Sequence, residues 1–442
     1  MLVELRIANY RSIYEEQVFS LVASKDSKHP DNLIDVNGFH LLKAAGIYGS
    51  NAAGKSNLIK AVQFMQQLIA ISATRLNEGD LIEGAVPFLL SKETQMRPCL
   101  LEATLIVEGS AYKYGFTVTQ DRIHDEWLRA YTMQGAEQLW FERLFDSESQ
   151  ETRWRFDGPL RGYQDLLQER TRDNSLILST GPRENVKLLS TLFQWFRQQL
   201  SIFDLSQDTE DLKYQTTELC QKDESLRMRV ARMLKDSDFQ IDGFNITEDN
   251  LRLETLRHKL QSISTHWTAS SWRTSFREPP RVGSLVPIVQ TQHHLIGTEE
   301  MITFDLDEES NGTQRLFAFA APMLHALDIG ALMIVDELDC SLHPNLTRKL
   351  IEFFQSPSEN THGAQLIFTT HDSTLLDQRI FRRDQIYLVE KTRNGGSEYF
   401  SLYDFENKDR PRNTEALQRN YLSGRYGAVP QFGPTFEDLQ PT

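Results

Sequence analysis

The sequence predicts an α/β fold: a P-loop nucleotide-binding core on a mixed sheet, with a β-rich N-terminal layer and an inserted helical/mixed lobe. Three observations carry that expectation. Residues 49–56 read Gly49-Ser50-Asn51-Ala52-Ala53-Gly54-Lys55-Ser56, the full phosphate-cradling pattern. A second apolar run, Ala331 to Val335, ends in Asp336-Glu337. Stretches on either side of the first motif alternate apolar and polar residues with the two-residue period of strands.

Taken in chain order, Met1-Leu2-Val3-Glu4-Leu5-Arg6 alternates like a strand and lacks the apolar h-region of a signal peptide. The first forty residues read as an opening β-layer. Leu41-Leu42 and Ala44 to Tyr48 form the apolar strand that enters the P-loop, and Asn57 to Leu68 carries the i, i+3, i+4 spacing of a helix. A hairpin follows, Leu101 to Val107 and Tyr112 to Thr119, turning at Glu108-Gly109-Ser110. Arg122 to Tyr131 and Gln138 to Phe145 continue the β pattern. From Glu184 to Lys235 the chain reads as helical, with a stripe of Leu188, Leu189, Leu192, Phe193, Trp195 and Phe196; polar residues 205–225 are the best place for a flexible crossing. A β-like stretch, Ile241 to Leu253, precedes a basic segment, and apolar strands resume near Val286. The resulting division is residues 1–180 (first half of the core with its β-layer), 181–285 (inserted lobe) and 286–442 (second half with the tail).

Composition narrows the class. The chain has 442 residues, 40% hydrophobic and 25% charged, an ordinary globular balance. No apolar run approaches the ~20 residues of a membrane span. Cys99, Cys220 and Cys340 have no CxxC spacing, which argues against a disulfide framework or structural zinc and for a reducing, cytoplasmic compartment. A net charge of -15 disfavours indiscriminate nucleic-acid binding. A local basic face is still available in residues 252–281, where Arg252, Arg257, Lys259, Arg273, Arg277 and Arg281 face only Glu254 and Glu278, with Trp267, Trp272 and Phe276 interleaved.

Each residue type in the two motifs answers a need of a bound triphosphate. The glycines let backbone amides turn toward phosphate oxygens, Lys55 supplies charge for the β- and γ-phosphates, and the Ser56 hydroxyl suits Mg²⁺. Asp336, at a strand end, suits Mg²⁺ through water, and Glu337 is placed to orient or deprotonate an attacking water. Ser310 is a candidate N-cap of the next upstream helix, and Gly312 permits close backbone approach. His371-Asp372 ends a further apolar strand, Ala364 to Thr370, at the sheet edge where ligands of α/β folds collect.

The order P-loop, Ser310 to Gln314, Asp336-Glu337, Leu338 to Pro344, His371 resembles the ABC-type ATPase heads of the SMC-like and overcoming-lysogenisation-defect-like families. The likeness spans roughly residues 1–70 and 286–402. Asn9-Tyr10-Arg11-Ser12 resembles the opening strand of those heads, whose Arg approaches the nucleotide. The Tyr421 to Pro430 run looks like the tail of the stand-alone bacterial branch. The resemblance implies ATP and Mg²⁺ as ligands, with ATP sandwiched between two subunits. One would give the P-loop and Asp336-Glu337; the other would give Ser310 and Gly312. Glu337 would trigger water attack and His371 would sense the γ-phosphate. No Q-loop glutamine is assigned.

The resemblance also implies a homodimer or higher oligomer. Its size and lack of an effector domain make the chain similar to the AriA-like ATPase subunits of PARIS-type anti-phage systems. Such a subunit works with a separate effector, a Toprim-type nuclease, and responds to a phage-encoded trigger protein. The alternative is a DNA repair or clamp ATPase that uses residues 252–281. A self-contained nuclease is disfavoured, because only about 40 residues follow the last expected strand, fewer than the ~50 of a minimal domain.

Overall fold

The computed structural model describes residues 1–36, 38–131, 136–237, 240–249, 286–405, 410–412 and 415–430. The basic segment 252–281 lies outside the described residues.

An antiparallel seven-stranded sheet forms the first layer. It contains β1 (Leu2–Ala8), β2 (Gln17–Ser20), β6 (Cys99–Val107), β7 (Ser110–Val118), β8 (Ile123–Tyr131), β9 (Glu137–Asp146) and β10 (Glu151–Phe156), in the order β10-β9-β8-β7-β6-β1-β2. The expected hairpin is β6–β7. Its turn is the tight two-residue kind, because Glu108 and Gly109 both adopt positive φ (49° and 77°) and Ser110 already belongs to the strand. A small pair, β3 (Leu33–Val36) and β4 (Phe39–Leu42), precedes the core strand, so Leu41-Leu42 and Ala44 to Tyr48 form two strands rather than one.

The second sheet holds the site. It comprises β5 (Ala44–Gly49), β11 (Leu200–Asp204), β15 (Leu332–Asp336), β16 (Gln365–Thr369), β17 (Ile386–Lys391) and β18 (Ser397–Ser401), in the order β11-β15-β16-β5-β17-β18. All neighbours are parallel except the β17–β18 pair. The fold is therefore mixed α/β, as expected.

Period-two alternation assigns the two faces of this sheet to two cores. Ala45, Ile47, Ile334, Ile367 and Val389 join the core shared with the seven-stranded sheet and the P-loop helix Lys55–Ile71. Ala44, Tyr48, Met333, Val335, Phe368 and Leu388 face the opposite core, with helices Asn311–Ile329 and Pro344–Gln355 and the tail helix Leu417–Leu422. Burial on both faces explains why these strands read as continuous apolar runs.

Two expectations are corrected. Residues 184–235 are not wholly helical: β11 separates helix Lys187–Gln198 from helices Thr209–Lys222 and Glu224–Lys235, and it pairs in parallel with β15. Residues 205–225 are largely helical instead of forming a flexible crossing. Helix Thr209–Lys222 packs on helix Asn311–Ile329, where the Thr216 hydroxyl donates to the Ala318 carbonyl at 2.8 Å. A third small sheet, β12 (Gly243–Asp249), β13 (Val286–His294) and β14 (Met301–Asp305), leads into the latter helix.

A buried ion pair ties the first layer to the helices behind it. Glu126 and Arg143, both essentially inaccessible, sit 3.1 Å apart. Glu126 also accepts from Tyr114 OH and from the Ile177 and Leu178 amides, while Arg143 donates to the Ser175 carbonyl. Burial raises the Glu126 pKa and lowers that of Arg143, and each partner's charge opposes the shift of the other.

Candidate functional site

The parallel strands β5, β15 and β16 end along one edge of the sheet, and the candidate residues project from that edge. Gly49 leaves β5 where a Cβ would lie 2.4 Å from the Val389 carbonyl oxygen. Only glycine allows the P-loop strand to pass β17 at that separation. Gly54 holds φ at 115°, and its absent Cβ would meet Ser397 Oγ at 2.1 Å and Ser12 Oγ at 2.7 Å. The loop between these glycines leaves Ser50 half-buried and Asn51 and Ala52 exposed, buries Ala53, and sets Ala52 at a positive φ of 62°. Helix Lys55–Ile71 then begins at the Gly54 cap, with no side chain satisfying its first amides. Those amides and the helix dipole suit an anion.

Lys55 is 7% exposed, and among the described residues its ammonium donates only to the carbonyls of Gly49 (2.8 Å) and Ser50 (3.2 Å). Burial lowers its pKa, against the raising influence of Asp336, Asp339 and Glu337. The P-loop and the Asp-Glu strand end are thus brought together electrostatically.

Asp336 ends β15 buried. It accepts the Thr369 hydroxyl, whose oxygen in turn accepts the Glu337 amide at 2.8 Å. Glu337 is half-buried with a positive φ of 56°, an uncommon conformation for a side-chain-bearing residue. Its strain is held by the Thr369 bond and by the Leu338 amide, which donates to the Thr369 carbonyl. Asp339 turns back to accept the His371 amide at 3.2 Å, and the His371 side chain is exposed. β15 and β16 therefore fix the Asp336–Asp339 turn and the His371 turn against each other.

The P-loop is braced from behind by side chains to which the sequence assigned no such role. The Ser397 hydroxyl donates to the Ala53 carbonyl (2.5 Å) and the Tyr399 hydroxyl to the Gly54 carbonyl (2.7 Å), both from β18. Ser12 Oγ lies 2.7 Å from Ser397 Oγ and accepts Asn57 Nδ2 at 2.6 Å. Ser12 and Asn57 flank residues already singled out in the sequence. Ser397, Tyr399 and Thr369 carry no sequence signal of their own.

Arg11 is exposed at a positive φ of 50°, and its guanidinium rests 5.7 Å from the Tyr10 ring. It lines a cleft of about 330 Å³ beside the P-loop helix start, with Ser12, Asn57, Leu89, Leu90 and Lys391. Among the described residues Lys391 donates to neutral oxygens, Gly395 O and Ser397 Oγ, and neither cation has an acidic partner there.

Ser310 caps helix Asn311–Ile329 through the Thr313 amide at 3.2 Å, as expected, and Gly312 is half-buried in its first turn. Gln314 is held by Lys213, which also pairs with Asp307 and Glu210. Among the described residues no hydrogen bond or ion pair joins Ser310 or Gly312 to the P-loop or to Asp336-Glu337 of the same chain.

The residues present fit a Mg²⁺-nucleotide. Two glycines clear the loop, Lys55 is buried without a carboxylate bonded to it, and Asp336 keeps one carboxylate oxygen outside its bond to Thr369. Residues 44–377, about three quarters of the chain, match the family described as "AAA domain, putative AbiEii toxin, Type IV TA system". No curated protein matches.

Solved structures similar in shape include an SMC head bound to the C-winged helix domain of ScpA (12% identity, TM-score 0.39, 90% of this chain and 97% of that one). Another is the SMC head domain from Thermotoga maritima (12%, 0.38, 90% and 98%). A third is the Smc head domain with an extended coiled coil bound to the C-terminal domain of ScpA derived from Pyrococcus furiosus (14%, 0.34, 90% and 96%). The family match is the one that decides: this chain belongs to that AAA-domain family, and its core is an ATPase domain.

Proposed function

We propose that this family member binds ATP in the P-loop cleft and hydrolyses it between two copies, using the nucleotide state to control a separate effector protein in anti-phage defence. The carrying observation is the division of the site. Lys55, Asp336 and Glu337 converge at one sheet edge, whereas among the described residues the Ser310 helix start makes no polar contact with them in the same chain. A second copy would supply what one copy leaves apart.

In this reading the P-loop amides and Lys55 hold the β- and γ-phosphates. Arg11 and Lys391 face the rest of the nucleotide from the adjoining cleft, and Leu89 and Leu90 offer the base an apolar wall. Ser56 and Asp336 would hold Mg²⁺, which supplies charge neutralisation at the phosphates when bound. Glu337, held at its strained φ, orients and deprotonates the attacking water. The exposed His371, anchored through its backbone to Asp339, lies free to read the γ-phosphate. Ser310 and Gly312 of the second copy close the cleft with a helix N-terminus.

The effector reading draws support from the family's description, whose reference to a type IV TA system suits a two-component logic. The Toprim-type nuclease and the phage trigger rest on the sequence resemblance. Co-expression with the product of the neighbouring reading frame tests it: the Glu337→Gln protein should retain that product and release it on a nucleotide or phage cue. The DNA-clamp reading would gain instead from salt-sensitive DNA retention that is lost on substituting Arg257, Arg273 and Arg277.

A further inference from the structure

Two exposed apolar surfaces of opposite charge lie on either side of the divided site. The first is the β13–β14 hairpin. β14 is an edge strand on which Met301, Ile302 and Phe304 are all exposed, on both faces, and Ile296 at the turn is 98% exposed. Between Leu295 and Gln314 every charged side chain is acidic: Glu299, Glu300, Asp305, Asp307, Glu308 and Glu309. Exposed apolar edges of this kind mark docking surfaces.

The second surface is the loop Phe88–Arg97, where Leu90 is 74% and Met96 84% exposed beside exposed Leu89. The loop is rigidly presented. Asn9 donates to the Thr94 and Arg97 carbonyls and accepts the Phe88 amide, and the Thr94 hydroxyl bonds the Phe88 carbonyl at 2.7 Å. Its rim is basic. Lys92 is exposed, and Lys391 and Arg393 flank the β17–β18 turn, whose Gly395 abuts Leu90. The nearest loop acid, Glu93, is paired with Arg97.

We propose that the β13–β14 hairpin of one copy seats on the Phe88–Arg97 loop of a second copy, and the reverse, forming a two-fold interface around both nucleotide clefts. The inference rests on the reading above, in which Ser310 of one copy completes the cleft of the other. Four residues lie between Asp305 and Ser310, so the five steps span at most roughly 17 Å of chain. The loop walls the same cleft through Leu89 and Leu90. Delivering Ser310 to the partner's P-loop therefore carries the hairpin into the neighbourhood of the partner's loop.

Charge selects this occupant. Two copies of net charge -15 repel each other, so their contact needs a local complementary pair, which the acidic hairpin and basic loop rim supply. The symmetry makes the contact twice per dimer.

A charge swap tests it in the full-length Glu337→Gln protein with Mg-ATP, read by light scattering, with a fluorescent ATP analogue reporting nucleotide binding. The hairpin variant Glu299→Lys/Glu300→Lys and the loop variant Lys92→Glu/Arg393→Glu should each bind nucleotide like the parent and dimerise at least about tenfold more weakly. Mixed in equal amounts they should restore a heterodimer, since both contacts are again complementary. Variants that dimerise like the parent, or a mixture that stays monomeric, would overturn the inference while leaving the ATP-sandwich reading intact; a different protein would then be the hairpin's occupant. A parent that binds nucleotide yet never dimerises would sink the sandwich reading, and this proposal with it.

Discussion

Glu337 shows how chemistry is set by a single backbone angle. Its positive φ turns the side chain out of the line of β15, and Thr369 locks the turn by bonding both the Glu337 amide and Asp336. Replacing Glu337 with Gln keeps the shape and removes the proposed base. The expected result is ATP binding as in the parent with turnover reduced at least about a hundredfold, within the usual worth of a general base. Wild-type turnover in that variant would show that another group activates the water. Gly54→Ala should weaken nucleotide binding by about ten- to a hundredfold in a titration, because a side chain at a φ of 115° is strained by roughly 1–3 kcal/mol and its Cβ would meet Ser397 Oγ, so the loop must shift. The P-loop residues were legible because their requirements are local, so the glycine spacing and lysine appear together. Ser397, 344 residues from the Ala53 carbonyl it bonds, could not be read, since nothing local distinguishes it from any strand serine.

Among the elements, the strands that bear the site announced themselves by burial on both faces. β11 did not. Its five residues lie between two helices, and Leu200, Ile202 and Phe203 are too few to separate a period of two from one of 3.6. Its parallel pairing with β15 is a tertiary fact, as is the packing of helix Thr209–Lys222 on helix Asn311–Ile329, which orders a stretch whose composition alone reads as a crossing. The Glu126–Arg143 pair gives an element-scale prediction. Arg143→Ala would leave a wholly buried carboxylate with no cationic partner, at a cost of about 3–5 kcal/mol. Chemical denaturation should show that loss, and a variant as stable as the parent would mean that the Tyr114, Ile177 and Leu178 bonds satisfy Glu126 unaided.

For the whole molecule, the ATPase core is assembled from distant segments. The P-loop strand, the Asp336 strand and the bracing strand β18 join one sheet only on folding, with β16 between the first two and β17 between β5 and β18. The family match over residues 44–377 takes in the P-loop near its start and Asp336-Glu337 and His371 near its end, while β18 lies beyond it. The resemblance read from the motifs reached the ATPase class; the proposed effector and trigger leave no mark on single residues, because they would concern surfaces whose partner is another chain. Lys55→Ala should abolish nucleotide binding, as measured by titration, because no other described cation lies buried against the P-loop carbonyls.

In the proposed assembly ATP joins two copies through a site that one copy holds in two parts. Light scattering of the Glu337→Gln protein with and without Mg-ATP, beside the Lys55→Ala protein, is the decisive measurement. The expected result is a nucleotide-dependent doubling of mass that Lys55→Ala abolishes. A Glu337→Gln protein that stays monomeric with saturating nucleotide bound would contradict it.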